Sequence, residues 1–151
     1  MTLNAQQIAQ ACIDTMWAGD RASQSMGMTI VAIEPDTATV SMVVTADMVN
    51  GHNTCHGGSI FTLADSAFAF ACNSQNLSAV AAGARIEFVA PAWLGDTLFA
   101  KACVVSQGKR SGVYDVTVRN QNDKIVALFR GNSARIGGAL VDDETGEPLV
   151  S

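Results

Sequence analysis

The residues from Gly57 to Asn73, GGSIFTLADSAFAFACN, carry a single charged side chain, Asp65, among small and apolar neighbours. The glycine pair breaks the preceding loop, and the spacing predicts a helix over Ser59 to Asn73. Ile60, Leu63, Ala64, Ala67 and Ala71 form one face, and Phe61, Phe68 and Cys72 a second. Asp65 falls between Phe61 and Phe68 at helical-neighbour spacing. A helix that is apolar all round is buried all round. A chain that owns one such helix has to wrap the rest of itself around it.

The rest reads largely as strands. Ala38, Val40, Met42 and Val44 alternate with Thr39, Ser41 and Val43 over Thr37 to Thr45, the period of a strand with one buried side. Just before it, GMTIVAIEPD reads as a strand ending in a Pro-Asp turn. After the helix, Ala81–Val89 sets Arg85 and Glu87 against Ile86 and Phe88. Thr97–Ser106 puts Leu98, Ala100, Ala102 and Val104 on one side, and Val113–Asn120 puts Tyr114, Val116 and Val118 there. Lys124–Ile136 is the last run, and SQGKRSG and NQND are its hairpin loops. Near the start, Ile8, Cys12 and Met16 lie four apart, which predicts a short N-terminal helix over about Asn4 to Ala18. Short hairpins imply antiparallel neighbours, and one-sided alternation implies a sheet covered on a single face. The expected class is α+β, with five to six antiparallel strands curled around one central helix.

No repeat, linker or low-complexity block divides the chain, so residues 1–151 are expected to form a single domain. Only 15% of residues are charged, below the usual quarter, which suggests surface hidden between subunits. A net charge of −5 with few basic residues argues against nucleic acid and against anionic membranes. No run of about 18 apolar residues offers a spanning helix, and the start lacks the layout of a signal peptide. Cys12, Cys55, Cys72 and Cys103 form no CxxC pair and read as free thiols in a reducing cytoplasm.

Burial disfavours the charge of Asp65 and raises its pKa, which makes it a candidate catalytic carboxylate. The alternative is a solvated or hydrogen-bonded structural residue near a sheet end. Gly57 and Gly58 present backbone N–H groups at the positive end of the helix dipole, where they can polarise a carbonyl oxygen or simply turn the chain. Gly57 and Asp65 are eight residues apart, roughly 12 Å along a helix axis. If both act on one substrate, a second, antiparallel copy must supply one of them. His52, Cys55 and His56 fall short of the four ligands of structural zinc, so no metal is expected. Cys55 and His56 are adjacent in an extended loop and point apart, which disfavours a thiol nucleophile. His56 is better read as orienting the loop or a substrate carbonyl, and Asn50 and His52 as doing likewise or capping the turn. Glu87 and Asp115 read as solvated.

NGHNTCHGGSIFTLADSAFAFACNS closely resembles the signature of hot-dog-fold acyl-CoA thioesterases, in particular the phenylacetic-acid-degradation type within the 4-hydroxybenzoyl-CoA thioesterase-like superfamily. FVAPAWLGDTL, QGKRSGVYDVTV and ALFRGNSARIGG extend the likeness from about Gly27 to Gly138. The resemblance implies a dimer, commonly paired into a tetramer. It implies Asp65 as general base or nucleophile and Gly57 of the partner helix as the group that polarises the thioester oxygen. His56 and Asn50 then help hold the carbonyl and the loop, and Gly58, Phe61 and Phe68 line the substrate. Some relatives carry a water-orienting Ser or Thr where this chain has Ala81 and Ala82; Ser66 or Ser74 are the available substitutes.

The resulting expectation is a cytoplasmic enzyme hydrolysing phenylacetyl-CoA and its ring-hydroxylated forms, with no cofactor. Lys109 and Arg110 are the first choice for contacting the CoA phosphates, with Arg85 and Arg135 behind them. Two other readings are an acyl-CoA-binding sensor without turnover and a hot-dog hydratase acting on acyl thioesters.

Overall fold

The computed structural model describes residues 2–149. Helix α1 (Ala5–Gly19) opens with a capping box: the Asn4 side chain accepts the Gln7 N–H at 2.8 Å, and the Gln7 side chain accepts the Asn4 N–H at 2.9 Å. A short helix, α2 (Arg21–Ser25), follows at once with Asp20 as its cap. The sequence reading missed it, because five residues are too few to show a helical period.

Strands β1 (Thr29–Glu34) and β2 (Thr37–Val43) form a hairpin whose turn places Asp36 at φ 63°. The long helix α3 (Gly57–Cys72) comes next, followed by β3 (Ala79–Phe88), β4 (Thr97–Gln107), β5 (Ser111–Arg119) and β6 (Ile125–Arg135). The six strands make one sheet in the order β1-β2-β4-β5-β6-β3, antiparallel throughout. α3 lies in its concave face and packs chiefly on β2, β4 and β5. This is the expected α+β arrangement of a sheet wrapped around a central helix with a short N-terminal helix.

The core follows the alternation. Ala38, Val40, Met42, Leu98, Ala100, Ala102, Tyr114, Val116 and Val118 are buried against Leu63, Ala64, Ala67 and Ala71 of α3. Small residues on helix and strands bring the two close. Gly131 of β6 is one such close approach, where an added Cβ would lie 2.8 Å from the Phe68 ring. Val104 keeps the inner register opposite Tyr114, yet it reaches beyond the helix and is 37% exposed.

Three expectations need correction. α3 starts at Gly57, so the glycine pair is its first turn rather than a loop before it. α3 is not buried all round: Gly58 is exposed, and Phe61, Thr62, Asp65 and Ala69 are half-buried, forming an open stripe in the single chain. β3 is not covered on one face either; its residues are exposed or half-exposed throughout, with Phe88 at 55%. It is the last strand of the sheet and pairs with β6 alone. Alternation reports two chemically different faces, and it cannot say whether the same chain covers the apolar one.

Candidate active site

The loop before α3 is held from both sides. Val49 bridges Cys55 and Thr54 bridges Trp93, while Cys55 N–H donates to Ala92 O at 2.7 Å. Inside the loop, Asn50 Oδ1 accepts the His52 N–H at 2.9 Å, the Thr54 N–H at 3.3 Å and the Thr54 hydroxyl at 3.1 Å. The Asn50 carbonyl oxygen is thus spent on shaping the loop, and its Nδ2 donates to nothing among the described residues.

His56 is the N-cap of α3, and its Nδ1 accepts the Gly58 N–H at 2.9 Å. An accepting Nδ1 puts the ring proton of the neutral imidazole on Nε2. His56 therefore caps the start of the helix. The Gly57 N–H finds no acceptor among the described residues. It points out of the first turn at the positive end of the dipole, where an oxyanion is stabilised. A cleft of about 450 Å³ lies there, lined by Thr54, Cys55, Gly57, Ile60, Phe88 and Ala92 among others.

Asp65 sits on the open stripe, and its carboxylate accepts no hydrogen bond from the described residues. Burial raises its pKa first, and the Asp20 carboxylate adds to the rise. It is a half-buried carboxylate without a donor among the described residues, shifted in the direction that suits a general base. Helix α3 runs unbroken from Gly57 to Cys72, so Gly57 and Asp65 stay roughly 12 Å apart along it.

The other candidates separate. Phe61 stays on the stripe, edge-on to Phe129 at 5.3 Å. Phe68, expected to line the substrate, is 1% exposed and packs on Tyr114 and Phe129, so the structure moves it into the core. Ser66 and Ser74 have partners of their own: Ser66 Oγ lies 2.7 Å from Ser23 Oγ, and Ser74 Oγ accepts the Asp36 N–H and donates to Ala71 O. Neither is a free substitute for a water-orienting hydroxyl. Burial pushes the Cys55 thiol up to about 11, and its Sγ donates to the His56 carbonyl rather than the ring. It is not an activated nucleophile.

Among the described residues no three His, Cys, Asp or Glu side chains gather as a metal set. Glu87 and Asp115 pair with Arg85 and Arg130 on the outer face. Lys109 and Arg110 are exposed at the β4–β5 turn, where Arg135 Nη1 donates to the carbonyls of Gly108 and Lys109. Arg135 thereby braces the loop that carries the other two. Phe88 was missed as a site residue, because alternation gave its face but not that its ring meets Gly57.

Residues 52–127 match the family model of the thioesterase superfamily. The chain belongs to the thioesterase superfamily. It is 52% identical over 128 residues to the acyl-coenzyme A thioesterase PaaI of Escherichia coli K12, covering 85% of this chain and 91% of that one. The solved structure of E. coli PaaI, a protein of the phenylacetic acid degradation operon, superposes with a TM-score of 0.89, covering 90% of this chain and 99% of that one at 48% identity. A Streptococcus mutans UA159 protein bound to acetyl CoA matches with a TM-score of 0.72 at 30% identity, covering 74% of this chain and 90% of that one. The wrapped helix of this thioesterase-superfamily chain is accordingly the hot-dog fold.

Proposed function

We propose that this chain hydrolyses phenylacetyl-CoA and ring-hydroxylated phenylacetyl-CoA to the free acid and CoA. The observation that carries the reading is Asp65, half-buried and without a hydrogen-bond donor among the described residues, on a helix whose first N–H group also has no partner among them. In this reading two copies share each site. The Gly57 N–H of one polarises the thioester carbonyl, and Asp65 of the other either draws a proton from the water that attacks the carbon, or attacks the carbon itself to give an acyl-aspartyl anhydride that water then hydrolyses to the free acid. The tetrahedral oxyanion collapses, the C–S bond breaks, and CoA leaves as a thiolate. Nothing in that sequence requires a metal or a cofactor.

Several features support a dimer. β3 ends the sheet with one free backbone edge, and Phe88, Val89 and Val80 are exposed on or beside it. A long uncovered edge is a pairing surface. A partner laid there antiparallel would also cover the open stripe of α3 and bring its own Gly57 towards Asp65. His56 and Asn50 would fix the loop that presents Gly57, and Gly58 and Phe61 would border the acyl group. Lys109 and Arg110 would meet the CoA phosphates. The likeness to an acetyl-CoA-bound structure supports CoA as the carrier, and unpaired Cys12, Cys55, Cys72 and Cys103 suit a reducing cytoplasm. Pairing of two dimers into a tetramer completes the proposal.

The test is CoA release from phenylacetyl-CoA, 3,4-dihydroxyphenylacetyl-CoA and a medium-chain acyl-CoA, with sedimentation to give the assembly. Aryl-selective turnover by a dimer or tetramer is expected. Tight ester binding without release would make the chain a binding protein.

A further inference from the structure

Ser66, the residue after Asp65, turns into the protein and meets the elbow between α1 and α2. Ser66 Oγ lies 2.7 Å from Ser23 Oγ, and Ser23 Oγ donates at 2.6 Å to Asp20 Oδ2. Ser23 has one hydroxyl proton and a carboxylate only accepts, so the proton between the serines belongs to Ser66. The relay runs from Ser66 through Ser23 to Asp20. Asp20 Oδ1 also accepts the Ser23 N–H at 3.0 Å, which fixes where its charge lies. Ser23 is 1% and Ser66 9% exposed, so the link between the serines is shielded from water, where such a bond is strong and costly to break, while the links to the half-buried Asp20 are shielded in part.

The strands packed on α3 present it with an apolar inner face. Among the described residues, Asp20 is the charge from a neighbouring element that bears on Asp65, and Cys72 on α3 itself feels Asp65 in turn. We propose that Asp20 is a positioning residue for Asp65: it anchors the middle turn of α3 through Ser23 and Ser66, and its negative charge bears on the reacting carboxylate. That charge acts in the same direction as burial. It favours the protonated acid, so the anion, once formed, is the stronger base. The catalytic meaning of this arrangement rests on the thioesterase reading above.

Asp20→Asn keeps an acceptor for the Ser23 N–H and removes the charge, and it puts an amide NH2 where Oδ2 accepts the Ser23 hydroxyl. Carboxyl-carbon NMR, with Asp65→Asn for assignment, should show Asp65 titrating at lower pH in Asp20→Asn than in the native protein. The acid limb of kcat/KM for phenylacetyl-CoA should move the same way. Ser66→Ala and Ser23→Ala break the relay and leave the charge. They should lower kcat about tenfold, as slight misplacement of a reacting group does, with KM changed less than about twofold. Thermal melts establish that each variant is folded. Coincident Asp65 titrations in native and Asp20→Asn protein, or native kcat in both folded serine variants, overturn the proposal. The NMR arm needs no substrate. A native protein that titrates as expected yet releases no CoA counts against the thioesterase reading alone.

Discussion

The Phe88 ring occupies the space that a side chain on Gly57 would need, since an added Cβ would lie 2.8 Å from Phe88 Cζ. Gly57 thus keeps its N–H accessible only because it lacks a side chain. Gly57→Ala should tilt the ring into the cleft and obstruct the oxyanion position. The expected fall in kcat is about 10²- to 10³-fold, the range seen when an oxyanion donor is lost. Phe88 is 55% exposed in the single chain, so the change should leave each chain folded. A Gly57→Ala protein that melts normally and keeps native kcat would remove Gly57 from the mechanism.

Asp65→Asn tests the base directly. Loss of a general base costs about 10²- to 10⁴-fold, and loss of a nucleophile more, so kcat should drop at least about a hundredfold. Stability should move the other way. The folded-state pKa of Asp65 is raised, so its contribution is fully present below the ordinary carboxylate range and is lost as pH rises through the folded value. Asn escapes that loss. The variant should melt above the native protein at neutral pH, and the gap should close on acidification. Parallel melts from neutral to acidic pH measure it.

Gly131→Val probes the helix–sheet approach. A Cβ there meets three ring carbons of the buried Phe68 at 2.8 to 2.9 Å, and the ring is enclosed by Tyr114 and Phe129 with nowhere to go. Overpacking of this kind costs about 1–3 kcal/mol. Urea unfolding should show a lower midpoint with an unchanged slope.

Lys109→Ala and Arg110→Ala should leave kcat for CoA esters near native and raise KM by about two- to fivefold per charge, as befits exposed ion pairs. Native KM should climb with salt and the double variant's should not. Identical salt curves would place the CoA phosphates elsewhere.

The fold was legible because its signals are local. Strict alternation located β2 and β5, the hairpin loops gave antiparallel order, and the apolar run gave α3. Apart from α2, too short to show a period, the main misses come from contact between residues distant in sequence. Nothing in the spacing says that Phe68 points to Tyr114 and Phe129 while Phe61 borders the stripe. Nor does alternation in β3 reveal that its apolar face is left uncovered. Asp65 stood out as a charge in an apolar helix, whereas Asp20 was not singled out. The Asp-x-x-Ser spacing of Asp20 and Ser23 was the one available hint of a cap.

The eight-residue helical offset of Asp65 from Gly57 has a consequence for genetics. Under the shared-site reading, a chain lacking the Gly57 donor and a chain lacking the Asp65 carboxylate are each inert alone. A mixed pair restores one whole site and doubles the damage in the other. Random reassortment of equal amounts gives half mixed pairs, so about a quarter of native activity should return. Two null alleles of this kind would complement each other in one cell, whereas two alleles at the same residue would not.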